Sequence, residues 1–147
     1  MDFGIFSERL KDLIFDTGKT PRDVAHDIGI SKTSLYEYLS GYKTPTLNNL
    51  IKIANFFNCS CDYLFGFEDF AENEVFTEVK PFHIRFQEVL KHLDISRYKL
   101  EKLTGISESV LYYWAKGDKI PSVERIVHVA KVLNVSVDFI IGRRTLP

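Results

Sequence analysis

Apolar residues recur along this chain at helical intervals, in short blocks separated by polar and glycine-rich breaks. Phe6, Leu10, Leu13 and Ile14 fall at i, i+4, i+7 and i+8, and Phe82, Phe86, Val89 and Leu90 repeat the same stripe much later. Such spacing predicts an amphipathic helix that buries one face. The breaks between blocks carry helix-boundary chemistry. Thr20 caps a second helix with Pro21 at its first position and Asp23 three residues after the cap, where a carboxylate also suits the helix dipole. That helix must stop at Gly29. Ser31 opens a third helix running to Gly41, Thr46 or Ser122 opens a fourth after Pro45 or Pro121, and Ser60 or Ser136 opens a short fifth ended by Gly66 or Gly142. The prediction is all-α, with five short helices to a unit.

The unit occurs twice. Residues Phe6 to Gly66 align without a gap onto Phe82 to Gly142, each partner lying 76 residues further on. Identical pairs include Arg9/Arg85, Gly29/Gly105, Ile30/Ile106, Ser31/Ser107, Leu35/Leu111, Tyr36/Tyr112, Gly41/Gly117, Lys43/Lys119, Pro45/Pro121, Asn58/Asn134 and Asp62/Asp138. Chance likeness between amphipathic helices aligns apolar residues, but not turns and caps as well. Each copy, at roughly 60 residues, is large enough to fold if its helices share one core. The expected organisation is a first domain over 1–66, a linker over 67–81 and a second domain over 82–147.

Two stretches hold the most specific signal, Asp27-Ile28-Gly29-Ile30-Ser31 and Leu103-Thr104-Gly105-Ile106-Ser107. Each joins two short helices through a tight turn in which glycine leaves the helix with positive φ and isoleucine pins the turn to the core. With the Gly-x-Lys-x-Pro step and the Asn-x-Ser-x-Asp ending, each copy resembles the phage-repressor/Cro-like (XRE-type) helix-turn-helix family, and the resemblance covers both copies. It implies two tandem lambda-repressor-like domains whose third helices enter the major groove of double-stranded DNA. Leu35 and Tyr38, or Leu111 and Trp114, then face inward. The candidate base readers are Lys32, Thr33, Tyr36 and Glu37 in the first copy, and Glu108, Ser109, Tyr112 and Tyr113 in the second. Lysine donates to guanine or phosphate, threonine contacts bases in several ways, and a glutamate accepts from the cytosine amino group.

Phosphate contacts orient such a reader without specifying sequence. The candidates are Arg22, Lys43 and Thr46 in the first copy, and Arg97, Lys99, Lys119 and Ser122 in the second. Thr46 and Ser122 are included because amide groups at a helix start attract anions. Two departures from the family pattern stand out. Where the family has a phosphate-holding glutamine early in the second helix, this chain has Pro21 and Arg97. Where it has a small residue between the two helices, Ala25 conforms and Glu101 does not, so Glu101 must bend outward or find a partner.

The remaining chemistry narrows the function. Over 147 residues, 45% are hydrophobic and 27% charged, with a formal net charge of −1, so the whole chain gives no basic signature of a nucleic-acid binder. The charge is unevenly spread. Residues 1–66 carry seven basic against eight acidic residues, the linker one against five, and residues 82–147 eleven against seven, which makes the second domain +4. The second copy therefore has the stronger field but the less cationic reading helix.

Cys59 and Cys61 align with Val135 and Val137, which marks them as packing positions. The four histidines show no ligand spacing, and no metal, cofactor or small-molecule ligand is expected. No phosphate loop, nucleophile elbow or metalloprotease motif occurs, so the expectation is a non-enzyme. There is no apolar run of membrane-spanning length and the N-terminal residues lack signal-peptide order, which makes the expected location cytoplasmic. The linker is read either as a plain tether or as a segment whose Phe70 and Phe76 dock on one or both domains and fix their orientation. Two arrangements stay open, a single chain that spans two half-sites alone and a homodimer formed through apolar surface near Phe65, Phe67, Phe139 or Ile141.

The reading that follows is a sequence-specific transcriptional regulator, a repressor acting by promoter occupancy. The alternative is that one copy binds DNA while the other is a dimerisation or protein-interaction module, as in an antitoxin or a phage antagonist.

Overall fold

A computed structural model describes residues 3–146, and these form ten helices and no strands. In chain order they are α1 (Gly4–Thr17), α2 (Pro21–Ile28), α3 (Lys32–Leu39), α4 (Leu47–Phe57), α5 (Cys61–Leu64), α6 (Phe82–His92), α7 (Arg97–Thr104), α8 (Glu108–Lys116), α9 (Val123–Leu133) and α10 (Val137–Ile141). The chain divides into two compact units, Met1–Glu74 and Val75–Pro147. Five helices belong to each.

Local chemistry sets these boundaries. Every helix except α1 and α6 begins at a Ser or Thr in extended conformation whose hydroxyl accepts from the backbone N–H three residues on. A cap of that kind satisfies one of the otherwise orphaned first-turn donors and stabilises the helix by about 1 kcal/mol. Left-handed residues end many of the helices. Asn58 (φ 49°) and Asn134 (φ 54°) close α4 and α9 at equivalent positions, as asparagine tolerates that conformation better than most side chains.

In the first unit Phe6, Leu10, Val24, Leu35, Leu50, Ile53 and Leu64 are buried together. In the second unit the core is formed by Phe86, Val89, Leu100, Leu111, Trp114, Ile126 and Ile140. Leu13 and Leu90, expected in the stripe of the first helix, are only half-buried and lie at its margin. Cys59 and Cys61 are buried inside the core.

An arginine common to both copies ties the first helix to the last. Arg9 donates through Nη1 to the carbonyls of Tyr63 and, at 3.0 Å, Glu68, and its guanidinium lies 4.3 Å from the centre of the Tyr63 ring. Its equivalent Arg85 donates to the carbonyls of Phe139 (2.9 Å) and Arg144 (2.5 Å) and lies 5.3 Å from the Phe139 ring. Both therefore supply donors to carbonyls where the last helix gives way to irregular chain.

Residues 67–81 attach to the units on either side. Phe70 packs edge-on against Tyr63 at 5.4 Å, and the Asn58 side-chain amide donates to the Glu74 carbonyl at 3.2 Å. In the second unit Phe76 lies 4.1 Å from the Arg143 guanidinium, while Thr77 donates from its backbone N–H to the Arg143 carbonyl (2.8 Å) and from its hydroxyl to the Gly142 carbonyl (2.6 Å). Arg143 is completely buried and pairs with the equally buried Asp138 at 2.5 Å.

Of the residues expected to offer a dimer surface, Phe65, Phe139 and Ile141 are buried in their own units, and only Phe67 is exposed. Phe65 is taken up by packing on Phe3 and Phe6, and Phe139 and Ile141 by the core under α6 and α9.

Candidate nucleic-acid interface

In the first unit α2 ends at Gly29 with φ 88°, and the N–H groups of Gly29 and Ile30 both return to the Ala25 carbonyl at 2.9 and 3.1 Å. A side chain other than glycine is strained in that conformation, so the glycine sets the sharpness of the turn. Ser31 then caps α3, accepting from Ser34 N–H at 3.0 Å. The inner side of α3 is held at several points. Leu35 is fully buried, Tyr38 accepts a bond from the Asn49 amide at 2.8 Å, and the Ser7 hydroxyl donates to the Leu39 carbonyl at 2.5 Å. The outward side presents Lys32, Thr33 and Tyr36, the last 47% exposed.

Glu37 departs from the expectation of a freely exposed reader. It is half-buried, and its Oε2 lies 3.1 Å from Lys43 Nζ, because the chain turns back after α3 and brings Lys43 beside it. The N–H groups of Tyr42 and Lys43 both bond the Glu37 carbonyl, which fixes that turn. Hydrogen bonding to Glu37, reinforced by its charge, raises the Lys43 ammonium above its ordinary range. The Lys43 side chain is therefore engaged with a residue of α3.

The second unit repeats the scaffold with other side chains. Gly105 (φ 76°) ends α7, Ile106 is buried, and Ser107 caps α8 through Val110 N–H at 3.3 Å. Leu111 and Trp114 face inward, with Trp114 edge-on to Phe82 at 6.3 Å and to Phe86 at 5.7 Å. Glu108 and Ser109 are exposed at the helix start, where a carboxylate favours the dipole.

Tyr112 and Tyr113, 44% and 38% exposed, stand edge-to-face at 5.6 Å. Cations lie over both rings. Arg97 is 5.4 Å and Lys116 5.9 Å from the centre of Tyr112, and Lys119 is 5.6 Å from that of Tyr113. Such contacts contribute about 0.5–1 kcal/mol each at exposed sites. Arg97, Tyr112 and Lys116 also line a shallow cavity of about 320 Å³ with Gln87 and Ala115, and the Arg97 Nε is buried there without a hydrogen-bond acceptor. Lys116 was not among the expected site residues, although its position four residues after Tyr112 places both on one helix face.

The expected phosphate contacts are arranged unevenly. Arg22 and Lys99 are exposed near the starts of α2 and α7. The hydroxyls of Thr46 and Ser122 are occupied as caps, accepting from Asn49 and Arg125 N–H at 3.2 and 3.3 Å, which leaves backbone amides as the anion-facing donors there. Glu101 is half-buried where Ala25 is fully buried, in keeping with a side chain that bends outward toward water. Among the described residues no cluster of three or more His, Cys, Asp or Glu side chains could hold a metal ion, and no helix is long and apolar enough to cross a membrane.

Two helices at a tight glycine turn, with the second presenting an exposed polar face, define a helix-turn-helix, and it occurs twice. The chain belongs to the XRE-type helix-turn-helix family, whose model matches residues 17–64 and 86–140. It is 31% identical over 65 residues to the HTH-type transcriptional regulator ImmR of Bacillus subtilis, covering 44% of this chain and 51% of that protein. It is 44% identical over 59 residues to the cryptic phage CTXphi transcriptional repressor RstR of Vibrio cholerae, covering 40% of this chain and 53% of that one. The chain thus spans about half the length of these relatives. No solved structure gives a significant match.

Proposed function

We propose that this protein is a sequence-specific double-stranded DNA-binding transcriptional regulator that represses by occupying a promoter, reading the major groove with α3 and with α8. The observation that carries the reading is the double presentation of a capped helix, locked inward by Leu35 or Leu111, with base-reading chemistry outward. The similarity to a regulator and a phage repressor supports the regulatory role. Lys32 and Thr33 supply donors to base edges from α3. Tyr112 and Tyr113 supply apolar contact and hydroxyls from α8, and Arg22, Arg97, Lys99 and Lys119 with the Thr46 and Ser122 amides grip phosphates. The +4 second domain supplies much of the affinity and the first much of the specificity. Because the outward residues differ, the two copies read different half-sites, and one chain spans both.

A second reading makes the second domain a protein-interaction or dimerisation module. It is favoured by the large apolar and aromatic side chains that the second domain exposes, Tyr98, Leu103, Tyr112, Tyr113 and Ile120.

The salt dependence of DNA affinity separates the two. Each neutralised phosphate contributes about 0.9 to the log-log slope. In the full chain, replacing Arg97, Lys99 and Lys119 together with alanine lowers the slope by roughly 2 to 3 if the second domain lies on DNA. An unchanged slope eliminates the two-reader function and leaves the interaction module.

A further inference from the structure

Lys43 sits in the step after the reading helix, where a lysine's ordinary role would be to hold a phosphate. Its contacts are of another kind. Nζ lies 3.1 Å from Glu37 Oε2, and the turn carrying it is stitched to the Glu37 carbonyl through the Tyr42 and Lys43 N–H groups at 3.0 and 3.4 Å. A carboxylate on a surface that approaches DNA is repelled by phosphates unless its charge is neutralised. It recognises a base only when aimed at an exocyclic amino donor, and cytosine offers one without the N7 acceptor that adenine sets beside its own. Lys43 meets both needs, holding one carboxylate oxygen and leaving Oε1 for an external donor.

The second domain has the same reach between the equivalent positions with different chemistry. There Lys119 lies over the ring of Tyr113, 5.6 Å from its centre. In both copies the lysine after the reading helix bears on the residue of its last turn.

We propose that Lys43 is a positioning residue for base recognition, which neutralises Glu37 and aims its free carboxylate oxygen at a cytosine amino group in the major groove, instead of gripping a phosphate. This assigns a specificity pair, Glu37 with Lys43, to the first domain. It rests on the reading that α3 enters the major groove.

The test uses the full chain and sequences the duplexes that it selects from a random pool. The wild-type pool contains a position enriched in C·G. Glu37→Gln abolishes that enrichment and keeps the others, Lys43→Gln abolishes it at the same position, and Lys43→Arg restores it. In the Glu37→Gln background, adding Lys43→Gln leaves the salt slope on a selected duplex unchanged. A phosphate contact would instead lower that slope by about 0.9. Such a drop, or a C·G preference that survives Lys43→Gln or Glu37→Gln, overturns the proposal while leaving DNA reading by the first domain intact. A wild-type pool with no enriched position at all overturns the groove-reading function together with it.

Discussion

Helices α3 and α8 share a scaffold and differ on the side turned to solvent. Along α3 and α8 the inward leucine, the capping serine and the preceding Gly-Ile are identical, while Lys32, Thr33 and Glu37 face Glu108, Ser109 and Tyr113 across the alignment. The retained positions each answer a demand of the fold: a buried contact, an orphaned N–H, a positive φ. The changed positions answer only to whatever the surface touches. Tyr36 and Tyr112 make the point within one residue type, since the same tyrosine stands in the second domain alone between the arginine and the lysine that line a cavity.

The contrast is sharpest where the same alignment position has changed its role. Arg143 and Phe67 are equivalents, yet Arg143 is wholly buried against Asp138 and Phe67 is 41% exposed. Removing one partner of a buried ion pair typically costs about 3–5 kcal/mol, because the other charge is left in a low dielectric. Arg143→Ala should therefore destabilise the second domain by about that amount, whereas Phe67→Ala should change the first by no more than roughly 0.5–1 kcal/mol. Denaturant unfolding checks this, and the single tryptophan, Trp114, reports on the second domain only. A small loss for Arg143→Ala would mean that the buried pair adds nothing to the stability of this domain.

A milder test addresses what the copies share. Ser31→Ala and Ser107→Ala remove the caps of α3 and α8, and each should cost about 1 kcal/mol in its own domain. Unequal costs, read by amide exchange across α3 and α8, would show that the two scaffolds are not equivalent in energy.

The smallest expected effect belongs to a pair found only in the first domain. Lys19 Nζ lies 2.7 Å from Asp27 Oδ2, where the second copy has Ile95 and Leu103. Hydrogen bonding to Lys19 lowers the Asp27 pKa, and hydrogen bonding to Asp27 raises that of Lys19. The contribution of the pair is thus present above the ordinary aspartate range and lost as pH falls through the lowered value. It is lost again as pH rises through the raised lysine value. Exposed pairs contribute little, so Asp27→Asn should lower the neutral-pH unfolding midpoint only slightly, by as much as the acid-side loss that it removes.

The architecture was readable because its determinants are local and occur twice. Thr20 with Pro21, Ser31, Asn58 and the glycines at 29, 105, 117 and 142 mark boundaries by chemistry that does not depend on distant contacts. The long-range pairs were not readable. Nothing in local spacing joins Arg85 to the Arg144 carbonyl, Phe76 to Arg143 or Lys43 to Glu37, since each pair meets only after the chain has turned. The dimer surface was misjudged for the same reason. Phe65, Phe139 and Ile141 follow a short polar helix start and look available, but the core encloses them. At the reading surface, residue types were legible from the helical period while partners from beyond the helix were not. The Lys43 partner of Glu37 comes from beyond the helix and was not legible, whereas Lys116, four residues after Tyr112, follows from the helical period itself.

The central claim is that one chain carries two readers of different specificity. Selection of the intact wild-type protein on random duplexes, with sequencing of the bound pool, tests it most directly. The account predicts two non-identical half-sites within each bound duplex, one of them lost when Lys32 and Thr33 are replaced and the other when Tyr112 and Tyr113 are. A single half-site, or two identical half-sites lost together on replacing Lys32 and Thr33, would contradict it.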